Sequence, residues 1–294
     1  MLFIWHGSVL PKLLPRLFLL LLLSVAVVFF KGTLFQYKIL LSPTPFTLFG
    51  IALALFLGFR NNASYDRFWE ARKLWGALLN DSRSLVRQAL TLTDYPPDSE
   101  EIKEFIQYLV CLTYALKHQL RRTDATADLQ QRLPEQIATE INASIYKPIM
   151  LMKRLGLWVQ KAKQKGKIDT ILQAAFDENL TKISDIIGGC ERITSTPIPY
   201  SYRVLLHRTV YVYCFLLPFG FVDSLGWFTP LIVVFVAYTF VALEAIADEI
   251  EEPFGLEAND LALNAMSLMI ETTLLEMAGM PLPEQSAQQG YAVT

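Results

Sequence analysis

The amino-acid sequence predicts an all-α membrane protein with four transmembrane helices in each subunit and a helical cytosolic domain. Its 294 residues are 53% hydrophobic and only 18% charged, with a mean hydropathy of +0.33. The apolar residues are grouped in blocks, and a helix needs about 20 mostly apolar residues to cross a bilayer. The long segment between the second and third blocks repeats apolar residues at helical spacing and shows no alternation typical of strands.

Composition and motifs also exclude several functions. The net charge of −2 provides no basic surface for nucleic acid. The three cysteines are scattered without a CxxC pair, which argues against a disulfide framework and a zinc site. The sequence has no motif for nucleotide binding, serine hydrolysis or zinc proteolysis. We therefore predict that the protein is not an enzyme and needs no metal or other cofactor.

The first apolar block covers 17–30 and follows Lys12 and Arg16. A basic start before a short apolar run is also typical of a signal peptide. No small-residue cleavage site follows, however, and a second apolar block begins a few residues later. If Leu13 and Leu14 are included and the Arg16 side chain reaches the headgroups, the block is long enough for a first transmembrane helix.

The second block, 39–59, contains no charge and is bounded by Lys38 and Arg60. Ile51, Leu55 and Phe59 recur at every fourth residue and therefore share one helix face. This apolar face could be one wall of a pore or an ordinary lipid-facing surface. The block also contains small residues that allow other helices to approach closely: Gly50, Ala52, Ala54 and Gly58.

Residues 60–203 contain no further span and are predicted to be helical. The second span should continue as an amphipathic helix to a break at 94–97. Asp98, with Glu101 three residues later, is a candidate N-cap. The other expected features are a polar loop at 121–132, one helix from 134 to about 156, one helix over 168–189 and an extended proline-containing joint at 194–200.

Two more apolar blocks, 204–222 and 224–243, predict a third and a fourth span joined by a tight turn. The fourth span runs into acidic residues, and carboxylates three or four residues apart share a helix face. A solvated helix end is one interpretation of this cluster, a metal site is a second, and a cation-concentrating region near a pore is a third. Its members are Glu244, Asp248, Glu251 and Glu252.

These features divide the chain into four segments. They are an N-terminal arm with the first two spans (1–59), the helical domain (60–203), the last two spans (204–247), and a C-terminal helix with a polar, disordered tail (248–294). Lys and Arg cluster after the second span and before the third, which places the helical domain and both termini on the cytoplasmic side.

Three short stretches resemble the signatures of the bestrophin family in its bacterial form. Residues 58–72 (GFRNNASYDRFWEAR) resemble the segment after the second span of bestrophins, and 191–200 (ERITSTPIPY) resemble a second signature before the third span. Pro253, Phe254 and Gly255 resemble a third signature, after the fourth span. Order and spacing agree over nearly the whole chain.

The resemblance implies a homopentameric ion channel in the bacterial inner membrane, with membrane lipid and monovalent ions as its other partners. In this family the second span lines a narrow neck through rings of hydrophobic side chains, at positions that match Ile51, Leu55 and Phe59. Arg60, Asn61 and Asn62 would then flank the inner mouth of the pore. The family also has a cytosolic constriction, for which Ile168 is the best match and Ile171 the alternative.

Two departures from the animal members matter. Their calcium-binding acidic run after Pro-Phe-Gly is replaced here by 256–261 (LEANDL), whose two carboxylates are too few for a calcium site. Leu55 replaces an aromatic residue in the neck. Because animal members conduct anions and the bacterial form resembles sodium-conducting channels, the resemblance favours monovalent cations, with an anion channel as the alternative.

Two other classes of function remain as alternatives. A membrane scaffold or receptor would use the cytosolic helices to bind a partner and would pass no ions. A membrane enzyme would use Glu244, Asp248 and Glu251 to hold a tightly bound metal.

Overall fold

A computed structural model describes residues 7–34, 37–39 and 41–283. The extreme ends of the predicted N-terminal arm and tail, 1–6 and 284–294, lie outside the described residues. The helices are α1 (Leu10–Phe29), α2 (Pro43–Leu92), α3 (Glu100–Arg121), α4 (Thr126–Arg132), α5 (Glu135–Asn142), α6 (Lys147–Gln164), α7 (Thr170–Ser195), α8 (Tyr200–Leu225), α9 (Thr229–Glu251) and α10 (Leu263–Met277).

A short antiparallel ladder between α1 and α2 departs from the all-helical prediction. It pairs β1 (Thr33–Leu34) with β2 (Tyr37–Lys38). Strands of two residues are too short to show a period in the sequence. The Lys38 ammonium lies 2.8 Å from the Asp223 carboxylate, so this connection and the α8–α9 connection lie at the same end of the helices.

Three helical stretches are long and apolar enough to cross a membrane among the described residues: Leu10–Phe29, Pro43–Leu92 and Tyr200–Glu251. The third stretch contains two helices, α8 and α9, which a 3₁₀ turn at Gly226–Phe228 separates. Gly226 has a φ of 51°, a left-handed value that glycine adopts without steric cost. The tight turn predicted between the apolar blocks 204–222 and 224–243 is therefore present.

The chain divides into two compact units. One contains Met1–Phe68 with Pro197–Glu252, and the other Trp69–Thr196 with Pro253–Thr294. The uninterrupted α2 contributes to both, so the predicted boundary between 59 and 60 falls inside a helix.

The first unit, which we call the span unit, is built from α1, α8, α9 and the first part of α2. Leu13 and Leu57 are almost fully buried in its core, together with Val210 and Ala237. The predicted close approach at Gly50 is present, since a Cβ there would lie 2.8 Å from the Tyr213 hydroxyl oxygen.

The second unit packs α3 against α6 and α10, and α6 against α7. Its core contains an aromatic cluster in which the ring centroids of Phe105 and Trp158 are 4.4 Å apart and those of Phe105 and Phe176 are 6.0 Å apart. The Trp158 indole N–H donates to the Glu101 carbonyl at 2.8 Å, which satisfies its polar group inside the core.

Several boundaries in the second unit differ from the prediction. The predicted loop at 121–132 contains α4. The predicted helix from 134 to 156 is two helices, since α5 ends at Asn142 and a new helix, α6, begins at Lys147 with Pro148 in its first turn. The N-cap of α3 is Ser99, whose hydroxyl accepts from the Ile102 N–H, and the Asp98 prediction is wrong by one residue.

Candidate functional site

The apolar row on α2 is exposed along its length. Ile51, Leu55 and Phe59 have 64%, 57% and 56% of their surface accessible, whereas Leu53 and Leu57 are buried at 3% and 0%. A helix exposes large apolar side chains on one face when that face meets lipid or other protein. The structure thus separates the predicted neck residues from the face of α2 that packs inside the span unit.

The three predicted mouth residues differ in position. Asn62 is exposed, and it follows Phe59 by three residues on the same side of α2. The Asn61 side-chain amide instead donates to the carbonyls of Leu57 and Leu243, at 2.9 and 3.2 Å. Arg60 is turned inward and only 1% exposed. Only Asn62 of the three continues the exposed row.

Arg60 is held by two carboxylates of α9. One guanidinium nitrogen, Nη2, hydrogen-bonds to Asp248 and lies 3.1 Å from the Glu251 carboxylate. Neither the Arg60 nor the Glu251 side chain is more than 2% exposed, so both charges depend on this pairing. Arg67 adds a bond from its Nε to the Glu251 carbonyl at 3.1 Å. These contacts fix α2 against the end of α9.

The acidic cluster is not the solvated helix end that its sequence suggests. Glu244 is 3% exposed and accepts a hydrogen bond from the His207 ring at 2.8 Å, and Glu251 is 2% exposed. Asp248 is about half exposed, and Glu252 is exposed. The solvated interpretation fails for Glu244 and Glu251 because both are buried against partners on other helices: Glu244 is hydrogen-bonded to His207, and Glu251 is paired with Arg60.

The same end of α9 is also tied to α1. The Lys12 ammonium lies 2.9 Å from the Glu249 carboxylate. The end of α9 is therefore linked by ion pairs to α1 through Lys12 and to α2 through Arg60, and by a hydrogen bond to α8 through His207. These pairs were not predicted from the sequence. The sequence does contain a signal for them, since single basic residues, Lys12 and Arg60, lie at the ends of apolar blocks and an acidic run follows the fourth block.

The metal interpretation of the cluster receives no support from geometry. Within the part of the chain that the structure describes, no group of three or more His, Cys, Asp or Glu side chains is arranged to hold an ion. The segment after Pro-Phe-Gly is organised by local bonds instead, with the Asp260 carboxylate accepting from the Glu257 N–H at 2.7 Å.

The two candidates for the cytosolic constriction have opposite environments. Ile168 is 6% exposed and belongs to the core of the second unit, whereas Ile171 is 78% exposed in the first turn of α7. Asp169 caps this helix by accepting from the Leu172 N–H at 2.7 Å. The Lys167 carbonyl accepts from the Asp94 N–H at 3.0 Å, which anchors the preceding loop. The Ile171 side chain therefore extends into solvent from a firmly anchored N-terminus of α7, whereas the Ile168 side chain is packed inside the second unit.

Comparisons with known proteins agree with this architecture. A family model described as bacterial/fungal bestrophin protein matches residues 1–276. A voltage-dependent anion channel-forming protein of Ralstonia nicotianae is 54% identical over 292 residues, which are 99% of this chain and 95% of that protein. A protein of the same description from Escherichia coli is 41% identical over 275 residues, covering 94% of this chain and 90% of its own length.

A solved structure gives the same result for the fold. The crystal structure of a bacterial bestrophin homologue from Klebsiella pneumoniae matches with a TM-score of 0.88 at 43% identity. The match covers 92% of this chain and 99% of that one.

Proposed function

Because this chain belongs to the bacterial and fungal bestrophin family, we propose that five copies assemble into an ion channel with α2 around the central axis. The family contains membrane ion channels, and the relatives named above are described as channel-forming. The observation that best supports a pentameric pore is the exposed row of Ile51, Leu55 and Phe59 on a helix whose opposite face is buried at Leu53 and Leu57.

Five-fold symmetry would convert this row into three stacked apolar rings. An ion entering such a neck loses part of its hydration shell and finds no polar group to replace it. Narrow apolar constrictions therefore gate by losing water, and wider ones conduct. Arg60 would hold the face in place through α9, and Asn62 would be the first polar side chain beyond the rings.

Each subunit would contribute four spans: α1, the first part of α2, α8 and α9. In the bacterial inner membrane, the basic residues near the ends of these helices favour cytoplasmic termini and a cytoplasmic second unit. Membrane lipid would surround the spans, and the chain itself would be the protein partner.

Ile171 is the residue that we propose for the cytosolic constriction. It is a large apolar side chain that is 78% exposed on a capped helix start, as expected of a side chain directed into a narrow passage. Ile168, the better match by sequence position alone, is part of the hydrophobic core instead.

We propose monovalent cations, with sodium as the physiological candidate, as the permeant ions. Asp66 is exposed two helical turns after Phe59, on the same side of α2 as the neck residues. Arg60, the base that directly follows Phe59, is buried and paired with Asp248 and Glu251. A ring of five Asp66 carboxylates beyond the inner end of the neck would attract cations and repel anions.

Anion conduction is the second candidate. It is favoured by the description of the relatives from Ralstonia nicotianae and Escherichia coli as voltage-dependent anion channel-forming proteins. The same neck serves both ions, because apolar rings do not select by the sign of the charge.

Single-channel recording in planar bilayers under a sodium chloride gradient tests both candidates. A reversal potential near the sodium equilibrium value supports the cation channel. A value near the chloride equilibrium potential overturns the choice of ion and supports the second candidate. If protein that is folded and inserted passes no current, the channel proposal is wrong, and a scaffold or receptor becomes the better hypothesis.

A further inference from the structure

A groove of about 560 Å³ lies between α1, α8 and α9 in the span unit. Its floor includes two small residues, Cys214 and Ala237, which are 4% and 1% exposed. Its walls include Leu19 of α1 and Phe215 of α8, which are 66% and 54% exposed. The groove exists because small side chains on the floor leave the space between these two larger ones unfilled.

One end of the groove is polar. The Arg16 guanidinium donates to the Tyr211 hydroxyl, and its central carbon lies 5.6 Å from the Tyr211 ring centroid. The Arg16 side chain is exposed, and an arginine offers five N–H donors in a fork that suits phosphate oxygens.

The charge of Arg16 is not neutralised inside the span unit. Lys12, one turn earlier on α1, forms an ion pair with Glu249 at 2.9 Å. In the ranges that the structure describes, Arg16 has no carboxylate within ion-pair distance, and its contact is the neutral phenol of Tyr211. The groove thus combines an apolar lining with a cationic side chain, Arg16, at one end.

We propose that this groove is a binding site for an anionic glycerophospholipid. One acyl chain lies along α1 between Leu19 and Phe215, and the headgroup phosphate accepts hydrogen bonds from Arg16. The inference rests on the membrane location in the proposed function but not on ion conduction.

A lipid fits better than a soluble ligand for two reasons. The lined part of α1, from Arg16 to Leu23, extends about 10 Å along the helix axis, which is within one leaflet of the hydrocarbon core. The apolar surface of the groove cannot by itself prefer one lipid over another, because all lipid tails are equally apolar. Selectivity for one lipid must therefore come from the shape of the groove and from the charge of the headgroup.

Native mass spectrometry of the detergent-purified assembly measures this binding directly. The assembly is titrated with phosphatidylglycerol and, separately, with phosphatidylcholine carrying the same acyl chains. Arg16→Gln should weaken phosphatidylglycerol binding about fivefold, the effect of one basic contact to an anionic lipid. It should weaken phosphatidylcholine binding clearly less, because the choline cation offsets the charge of the same phosphate. Lys31→Gln, the control, also removes one positive charge, but beyond the other end of α1. It should change the binding of neither lipid. Equal losses in both variants would show general charge attraction and would overturn the site.

A second variant tests the groove independently of charge. Leu19→Trp puts a larger side chain on an exposed wall, so it should not disturb the core, and it should reduce binding of both lipids. A phosphatidylglycerol with a photoreactive acyl chain should label the peptide that contains Phe215 in the wild type and much less in Leu19→Trp. Labelling that does not change with this variant would overturn the groove as the site.

A neighbouring subunit is the competing occupant. If Phe215→Cys forms cross-links between subunits with a short bifunctional maleimide, the groove is a protein interface and the lipid proposal is wrong. The current recorded in planar bilayers is measured separately, so failure of lipid binding and failure of the channel proposal are distinguishable.

Discussion

Phe59 and Phe56 are the same residue type in the same membrane helix, but Phe56 lies about 100° around α2 from the middle of the row that Ile51, Leu55 and Phe59 form. They are 56% and 47% exposed, and only Phe59 continues the row of Ile51 and Leu55. Phe59→Ala should raise unitary conductance about twofold or more, because it widens one ring of the neck. Phe56→Ala, the matched control, should leave conductance close to that of the wild type. Recordings in planar bilayers measure both, and equal conductances would contradict the assignment of the neck.

Arg60 is the residue whose loss should most disturb the span unit. Arg60→Met leaves the buried Glu251 carboxylate without its cation, which typically costs about 3–5 kcal/mol. The expected result is a clear drop in the thermal unfolding midpoint of the purified assembly. Arg60→Met combined with Glu251→Gln should recover much of that loss, because no charge then remains buried. If the single variant unfolds at the wild-type temperature, the pair does not stabilise the protein.

The junction of α3 and α4 contains a carboxylate that should contribute stability in a pH-dependent way. Asp128 interacts with the His118 ring at 2.8 Å and with the Lys117 ammonium at 3.1 Å. The hydrogen bond to His118, followed by Lys117 and Arg132, lowers the pKa of Asp128 below its ordinary value of 3.8 despite partial burial. Because the folded pKa is the lower one, this stability is present above pH 3.8 and is lost as pH falls below it.

Asp128→Asn should therefore lower the unfolding midpoint by a constant amount between pH 7 and about pH 5, with a difference from the wild type that shrinks below pH 3.8. Differential scanning fluorimetry over this range measures the effect. Asp177→Asn, at an exposed position on α7, is the control and should show little difference at any pH. A difference for Asp128→Asn that grows with acidity would contradict the sign of the shift.

Ile168 and Ile171, three positions apart around the start of α7, should affect different properties. Ile171 should affect conduction, and Ile168 should affect stability. Ile171→Ala should increase conductance or alter its voltage dependence without changing the unfolding midpoint, because the side chain is 78% exposed. Ile168→Ala removes a core side chain and should cost about 2 kcal/mol of stability with little direct effect on the pore. Paired recording and thermal unfolding distinguish the two roles, and the reverse pattern would move the constriction to Ile168.

At the level of the proposed pentamer, Asp66 should determine the proposed preference for cations. Native mass spectrometry is expected to give five times the 33.4 kDa subunit mass. Asp66→Asn should then reduce the permeability of sodium relative to chloride, because the proposed ring of five charges at the inner side of the neck is lost. Glu252→Gln, which removes an exposed carboxylate from the end of α9, should leave the ratio unchanged. An unaltered reversal potential in Asp66→Asn would remove the argument for cations.

Local chain chemistry was sufficient to predict much of this protein. Hydropathy and block length are properties of adjacent residues, so the apolar blocks on α1, α2, α8 and α9 follow directly from the sequence. The shared face of Ile51, Leu55 and Phe59 follows from helix geometry alone. Short helices are less certain, because few residues carry the pattern, and this explains the missed α4 and the division between α5 and α6.

The pairing of Arg60 with Asp248 could not be read from the sequence, because the two residues are 188 positions apart. Which carboxylates of the acidic cluster are buried depends on how α1, α2 and α8 pack around the end of α9. The same is true of Ile168 and Ile171, whose positions in the chain are almost equivalent and whose exposures are opposite. The sequence determined which segments are apolar enough to enter a membrane, whereas burial and charge pairing came from tertiary packing, because both depend on contacts between distant parts of the chain.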